Sequence, residues 1–148
     1  MTTFYRAATL PIMRIKLLND NAKVPEYATA GAACFDLSAA SIEYQHGLVI
    51  IDTGIAFEVP AGHVLMVYPR SGLSAKYRTR LVNSTGVIDS DYRGPVILMF
   101  QADWNWSPRV GERVAQGMVI PVSQMRFDVV DELSETDRGE GGFGSTGG

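Results

Sequence analysis

The chain has 148 residues, of which 46% are hydrophobic and 20% are charged, and its formal net charge is −3 at pH 7. This length predicts one domain, and the composition is typical of a globular protein. No apolar run approaches the roughly 20 residues that a membrane helix needs. The negative charge argues against a nucleic-acid partner, which would require a basic surface.

The cysteine and histidine content sets a second limit on function. Cys34 is the single cysteine, so an internal disulfide is excluded, and with only two histidines the chain has no zinc-ligand spacing. Residues 1–14 lack a basic start followed by a long apolar core. We therefore expect no secretory signal and a cytoplasmic location.

Short apolar runs separated by Gly, Pro, Asn and Asp predict β-strands along the whole chain. These runs are residues 12–18, 48–51, 55–59, 64–68, 96–100, 114–122 and 127–130. A short helical turn is expected only at residues 71–77. Many short strands at this spacing favour an all-β sandwich, barrel or jelly roll.

Residues 69–76 follow one predicted strand and place an arginine and a hydroxyl just before the helical turn. Arg70 is suited to grip a phosphate bidentately, and the exposed amides of Ser71 and Gly72 are suited to cradle it. The alternative is a capped surface turn with a solvated arginine. Residues 29–37 and 111–117 are weaker signals, each consistent with a strand and a tight turn, and Cys34 is interpreted as a small core residue.

Residues 83–94 have turn formers at both ends and an apolar pair in the middle, which predicts a hairpin or a sharply bent strand pair. An open strand at Gly86 is able to pair with the edge of a pyrimidine, and the Asn83 carboxamide completes that pattern. In extended geometry Val87, Asp89 and Asp91 share one face. Two carboxylates there indicate a cation site or a base catalyst, and the alternative is solvated turn residues paired with Arg93.

The composition shifts near Ser134 and leads into a glycine-rich tail at residues 138–148. Its uncovered N–H groups, with the donors of Arg138, Ser145 and Thr146, are suited to wrap a phosphate, and Phe143 is suited to stack on a base. The alternative is a flexible linker without function.

Together and in this order, five segments resemble the motifs of the homotrimeric deoxyuridine triphosphatases. The segments are residues 30–37, 70–72, 83–94, 111–116 and 138–148. The resemblance implies a jelly-roll β-domain over residues 1–133 and a flexible C-terminal lid over residues 134–148. It also implies a homotrimer in which each active site draws motifs from different subunits.

The resemblance further implies roles for single residues in the hydrolysis of dUTP to dUMP and pyrophosphate. Asp89 is the expected general base for water attacking the α-phosphorus, with Mg²⁺ as cofactor, and Asp36 would touch the magnesium shell through water. The residues that would bind uracil and deoxyribose are Asn83, Gly86, Val87, Ile88, Tyr92 and Ile97. The residues that would hold or cover the phosphates are Arg70, Ser71, Gly72, Gln116, Arg138, Gly144, Ser145 and Thr146, while Phe143 would stack over the base.

Three other functions remain open at this stage. The first is a deoxycytidine triphosphate deaminase, which shares the fold but uses a glutamate in a different active-site pattern. The second is a nucleotide-sensing module, which would keep the site but produce a protein contact. The third is a purely structural trimer, which would have no reason to retain Asn83, Asp89 and Tyr92 together. Residues 87–92 favour hydrolysis. Trp104 and Trp106 match no functional motif and are interpreted as packing or subunit contacts.

Overall fold

A computed structural model describes residues 11–103 and 105–142. In this part of the chain ten strands and one helix follow in order: β1 (Arg14–Leu17), β2 (Phe35–Ser38), β3 (Ser41–Gln45), β4 (Leu48–Asp52), β5 (Ile55–Glu58), β6 (His63–Pro69), α1 (Ser71–Tyr77), β7 (Arg80–Leu81), β8 (Gly86–Ile88), β9 (Ile97–Gln101) and β10 (Arg113–Pro121). The all-β expectation with one short helical turn is confirmed. The structure contains no helix, among the residues it describes, of the length and apolarity needed to cross a membrane.

The strands form two four-stranded antiparallel sheets and one two-stranded sheet. The first large sheet has the order β2-β10-β6-β8, the second has the order β3-β4-β9-β7, and β1 pairs with β5. Strands that are neighbours in space are mostly distant in sequence, so the register is set by long-range contacts. The strands of the first sheet carry five of the predicted site residues: Asp36, Gly86, Val87, Ile88 and Gln116.

The core lies between the inner faces of these strands and follows the two-residue period of β-structure. In β9, Leu98 and Phe100 are buried while Ile97 and Met99 face outward. The Phe100 ring meets the Trp106 ring edge-on, with centroids 5.2 Å apart. Trp106 is therefore a packing residue, as expected, and Trp104 lies outside the described residues.

One predicted strand is wrong. Residues 127–130 form no strand, and the side chains of Phe127 and Val129 are 91% and 97% exposed. Every residue from 121 to 140 is exposed. A strand needs a hydrogen-bonded neighbour, and in the described structure this segment has none.

Strand β3 was not predicted from the sequence, because its polar composition hides the strand pattern. The segment reads Ser-Ile-Glu-Tyr-Gln, and among the described strands it pairs with β4 alone. Polar residues are common on edge strands, where they discourage pairing with other chains.

Candidate active site

Three of the predicted segments meet in one pocket, which we call the Arg70 pocket. Its volume is about 420 Å³, and its lining residues are Ala28, Ala32, Ala33, Cys34, Asp36, Arg70, Ser71, Gly72, Leu73 and Gln116. The segment before β2, β2 itself, the residue between β6 and α1, the start of α1 and β10 supply these residues. All four residues predicted to hold phosphates through the folded core therefore line one cavity.

The local backbone explains how Arg70 enters this pocket. The β6 strand ends at Pro69, and α1 begins at Ser71, so Arg70 is the extended N-cap residue. Its carbonyl accepts the Ser74 amide at 3.0 Å, which starts the helix. A Cβ added at Gly72 would meet nothing within 4 Å, so the chain leaves open space there.

The carboxylate of Asp36 binds two arginines. Arg70 Nε lies 3.0 Å from Asp36 Oδ1, and Arg113 Nη1 donates to Asp36 Oδ2 at 2.9 Å. Asp36 lies on β2, directly opposite Gln116 of β10. The side chain of Asp36 is 14% exposed, so both ion pairs are partly shielded from water.

Gln116 and Cys34 complete the wall of the pocket. Gln116 Nε2 donates to the Pro69 carbonyl at 3.0 Å, which ties β10 to the end of β6. Cys34 is half-buried, so the interpretation as a core residue is wrong: it precedes β2 and faces the pocket. Burial, and to a smaller extent the Asp36 carboxylate, raises the pKa of the Cys34 thiol.

The segment of residues 83–94 is not a hairpin. Its strand, β8, pairs with β6 at Gly86 to Ile88, while the next strand, β9, belongs to the other sheet. Ile97 consequently lies on β9, and its side chain is 53% exposed. The hairpin prediction failed because the partner of each strand is distant in sequence.

Strand β8 has the free backbone edge that the sequence predicted for pairing with a pyrimidine. It is the edge strand of its sheet in the described structure, so one row of its backbone N–H and C=O groups has no strand partner. Gly86 lies opposite Val67, and a Cβ at Gly86 would come within 3.1 Å of the Val67 Cβ. Asn83 lies in the exposed turn just before this strand.

The turn after β8 positions Tyr92. The Tyr92 amide donates to the Asp89 carbonyl at 3.2 Å, and its hydroxyl donates to the Pro95 carbonyl at 3.1 Å. A Cβ at Gly94 would overlap the Tyr92 phenol. The ring of Tyr92 therefore lies flat against its own turn and presents a 43% exposed surface.

The extended geometry that was predicted to place Asp89 and Asp91 on one face is absent from this turn. The strand ends at Ile88, and the chain turns through Ser90 and Asp91. That prediction is wrong because the extended geometry stops one residue before Asp89. The pairing with Arg93 is also not found: Arg93 Nη1 donates to the carbonyls of Ser90 and Tyr92 at 2.8 and 2.9 Å.

Asp89 is exposed, and within the described part of the chain its carboxylate has neither a hydrogen bond nor an ion pair. Nothing in residues 11–103 and 105–142 groups three His, Cys, Asp or Glu side chains in a way that could hold a metal ion.

The Arg70 pocket and Asp89 lie at opposite ends of β6. Ile88 pairs with Leu65, whereas Arg70 follows Pro69 at the other end of the strand. A strand rises about 3.3 Å per residue, so Asp89 and Arg70 of one chain are separated by about 20 Å along β6.

Of the C-terminal residues with predicted roles, only Arg138 lies in the described part of the chain. Arg138 Nε donates to the Gly141 carbonyl at 2.8 Å, and Gly139 binds the Thr136 hydroxyl at 3.1 Å, so residues 136–141 form a local turn. Phe143, Gly144, Ser145 and Thr146 lie outside the described residues.

Sequence analysis missed Arg113 as part of this site. It lies in the segment 111–117, which was interpreted as a strand with a tight turn and, over residues 111–116, as a motif of the family resemblance, but only Gln116 was assigned a role there. The sequence feature that could have indicated Arg113 is its charge, because an arginine stands there three residues before Gln116 and next to Val114 and Ala115, which are buried.

Comparison with known proteins identifies the family. The sequence model of the family described as dUTPase matches residues 20–147. Deoxyuridine 5'-triphosphate nucleotidohydrolases of Nautilia profundicola and a Picosynechococcus species are 43% and 41% identical over 139 residues, each covering 91% of this chain and 98% of the relative. A solved structure of the Staphylococcus bacteriophage 80alpha dUTPase with dUPNHPP has a TM-score of 0.79 at 26% identity and covers 93% of this chain and 99% of its own. The chain therefore belongs to the dUTPase family.

Proposed function

We propose that this protein is a dUTP diphosphatase that hydrolyses dUTP to dUMP and pyrophosphate, by attack of water on the α-phosphorus with Asp89 as general base. One observation carries the proposal: Arg70, Ser71 and Gly72 line a single pocket together with Asp36 and Gln116, which come from two distant segments of the chain. Guanidinium and amide donors converging on one cavity suit a polyphosphate. In the cell, this reaction limits uracil in DNA and supplies dUMP for dTMP synthesis, and we propose that it takes place in the cytoplasm.

The free edge of β8 supports recognition of uracil by backbone groups of Gly86, Val87 and Ile88 together with the Asn83 carboxamide. Cytosine reverses donor and acceptor at one edge, which would leave buried amides unpaired and cost about 10⁴–10⁵ in discrimination. Tyr92 lies under the deoxyribose and leaves no room for a ribose hydroxyl. Ile97 contributes an apolar contact from β9.

The proposed base is available for its role. An exposed carboxylate without a partner can accept a proton from a bound water, and a positioned base contributes roughly 10²–10⁴-fold to the rate. Arg70 and the amides of Ser71 and Gly72 would hold the phosphates in line for attack.

The residues present fit a magnesium ion that arrives with the nucleotide. Among the described residues no protein cluster could hold the metal by itself, and Mg²⁺ commonly keeps several waters and binds substrate phosphates. Each Asp36 oxygen retains a lone pair beside its arginine, so it can accept a metal-bound water. When bound, the ion would neutralise charge on the leaving pyrophosphate.

The distance along β6 favours a site shared between chains. An Asp89 about 20 Å from the Arg70 pocket of its own chain is too far to serve a triphosphate held there. A homotrimer in which one subunit supplies the pocket and a neighbour supplies β8 and Asp89 removes this difficulty.

The C-terminal segment fits the same arrangement. Apolar side chains such as Phe127 and Val129 are exposed in the single chain, which suits a segment that crosses to a neighbour. We assign residues 1–133 to the β-domain and residues 134–148 to a flexible lid, in which Arg138, Gly144, Ser145 and Thr146 cover the phosphates and Phe143 stacks on the base.

A substrate panel tests this function. The protein is incubated with Mg²⁺ and dUTP, dTTP, dCTP or UTP in turn, and pyrophosphate and ammonia are followed. We expect pyrophosphate from dUTP alone. Ammonia from dCTP would identify a deaminase instead, and tight binding of dUTP without turnover would identify a nucleotide-sensing module.

A further inference from the structure

Arg113 belongs to a bridge that joins β2, β10 and the residue between β6 and α1. The Asp36 carboxylate joins Arg70 Nε through one oxygen, at 3.0 Å, and Arg113 Nη1 through the other, at 2.9 Å. A further bond runs from Arg70 Nη1 to the Arg113 carbonyl at 3.0 Å.

A β-bulge is what brings the Arg113 side chain to Asp36. In β10, Gln116 pairs with Asp36 and Ala115 with Leu37, so regular pairing would set Val114 against Ser38. Instead Arg113 pairs with Ser38, and Val114 is the extra residue. Because alternate residues of a strand share a face, the bulge moves Arg113 onto the face that carries Asp36 and sends Val114 into the core, where it is fully buried.

Arg113 itself does not line the Arg70 pocket in the described structure. It lines a separate cavity of about 510 Å³ on the other side of Asp36, with Lys23, Glu26 and Gly111. Its side chain is 55% exposed, against 30% for Arg70. Arg113 is connected to the pocket through Asp36, the carboxylate that it shares with Arg70.

The chemistry of the bridge indicates what that effect is. An arginine facing a free carboxylate prefers a bidentate pair, in which two parallel N–H groups bind both oxygens. Here Arg113 occupies Asp36 Oδ2, so Arg70 can use only Oδ1, and its Nη1 is directed to a backbone carbonyl. The remaining donors of Arg70 stay available to the pocket.

We propose that Arg113 is a positioning residue for phosphate binding: by occupying one oxygen of Asp36, it prevents a bidentate Asp36–Arg70 pair and keeps Arg70 directed at the nucleotide phosphates. This inference rests on the proposed function, because the phosphates are those of the substrate.

The test compares Arg113→Met with Arg109→Met. Arg109 lies four residues before Arg113 and is exposed, so its replacement removes the same charge. The hydrogen bond from the Arg109 amide to the Glu112 carboxylate does not involve the Arg109 side chain and is retained. The affinity for an imido analogue of dUTP, KM and kcat are measured with Mg²⁺. For Arg113→Met we expect the dissociation constant and KM to rise about tenfold, the range of one charged hydrogen bond, with kcat little changed. Arg109→Met should match the parent, and Arg113→Lys, which can still donate to Asp36, should recover most of the affinity.

A double-mutant cycle with Asp36→Asn separates action through Asp36 from direct contact. If Arg113 acts through that carboxylate, Arg113→Met has little further effect once Asp36 is replaced. An undiminished loss in the Asp36→Asn background would overturn the proposal, as would parent-like affinity of Arg113→Met or an equal loss in Arg109→Met. A parent protein that fails to hydrolyse dUTP would refute the proposed function instead, so the two failures are distinguishable.

Discussion

Asp89 and Asp91 stand two residues apart in one turn, and we propose different roles for them. Asp89 directly follows the edge strand that is proposed to bind uracil, whereas Asp91 lies further along the turn. Asp89→Asn should lower kcat by about 10²–10⁴-fold, because the amide cannot accept the proton of the attacking water. Binding of an imido analogue of dUTP, measured by calorimetry, should change little.

The matched control is Asp91→Asn, which removes the same charge from the same turn. We expect it to keep most of the parent turnover. If the two variants lose activity equally, the turn acts through its total charge and Asp89 is not the base.

At the scale of the element, the turn after β8 depends on a close approach between Gly94 and the Tyr92 phenol. Gly94→Ala should displace the ring, because an added Cβ would overlap it. Displacement of a substrate-positioning group by about 1 Å can cost about 10²-fold in rate, so we expect kcat/KM for dUTP to fall by 10- to 100-fold.

The melting temperature of Gly94→Ala is the control for this prediction. It should stay near that of the parent, because the turn is outside the core and Tyr92 is partly exposed. Unchanged kcat/KM with a large loss of thermal stability would mean that the contact serves folding and not the substrate.

What the sequence could predict depended on whether the signal was local. The bounds of α1, Ser71–Tyr77, followed from the residues around Arg70, and the clustering of Arg70 with Gln116 followed from the family resemblance. The bulge at Val114 and the pairing of β8 with β6 depend on register between distant strands, which no local pattern specifies.

At the scale of the whole molecule, the segment that follows β10 adds no buried side chain to the core of its own chain, since every residue from 122 to 140 is exposed. Removal of the residues after Asp137 should therefore leave the melting temperature unchanged. It should lower kcat/KM for dUTP about 100-fold or more, because the proposed lid no longer positions the phosphates. A clear drop in the melting temperature would make this segment a structural element instead.

The most direct test of the account is complementation between two inactive variants, Arg70→Met and Asp89→Asn, mixed as unfolded chains and refolded together. If one active site joins Arg70 of one subunit to Asp89 of another, about one site in four in an equal mixture has both residues intact, and activity should return to that level. If both residues serve the same site from one chain, no mixed site is intact. Activity no higher than that of the separately refolded variants would contradict the shared site.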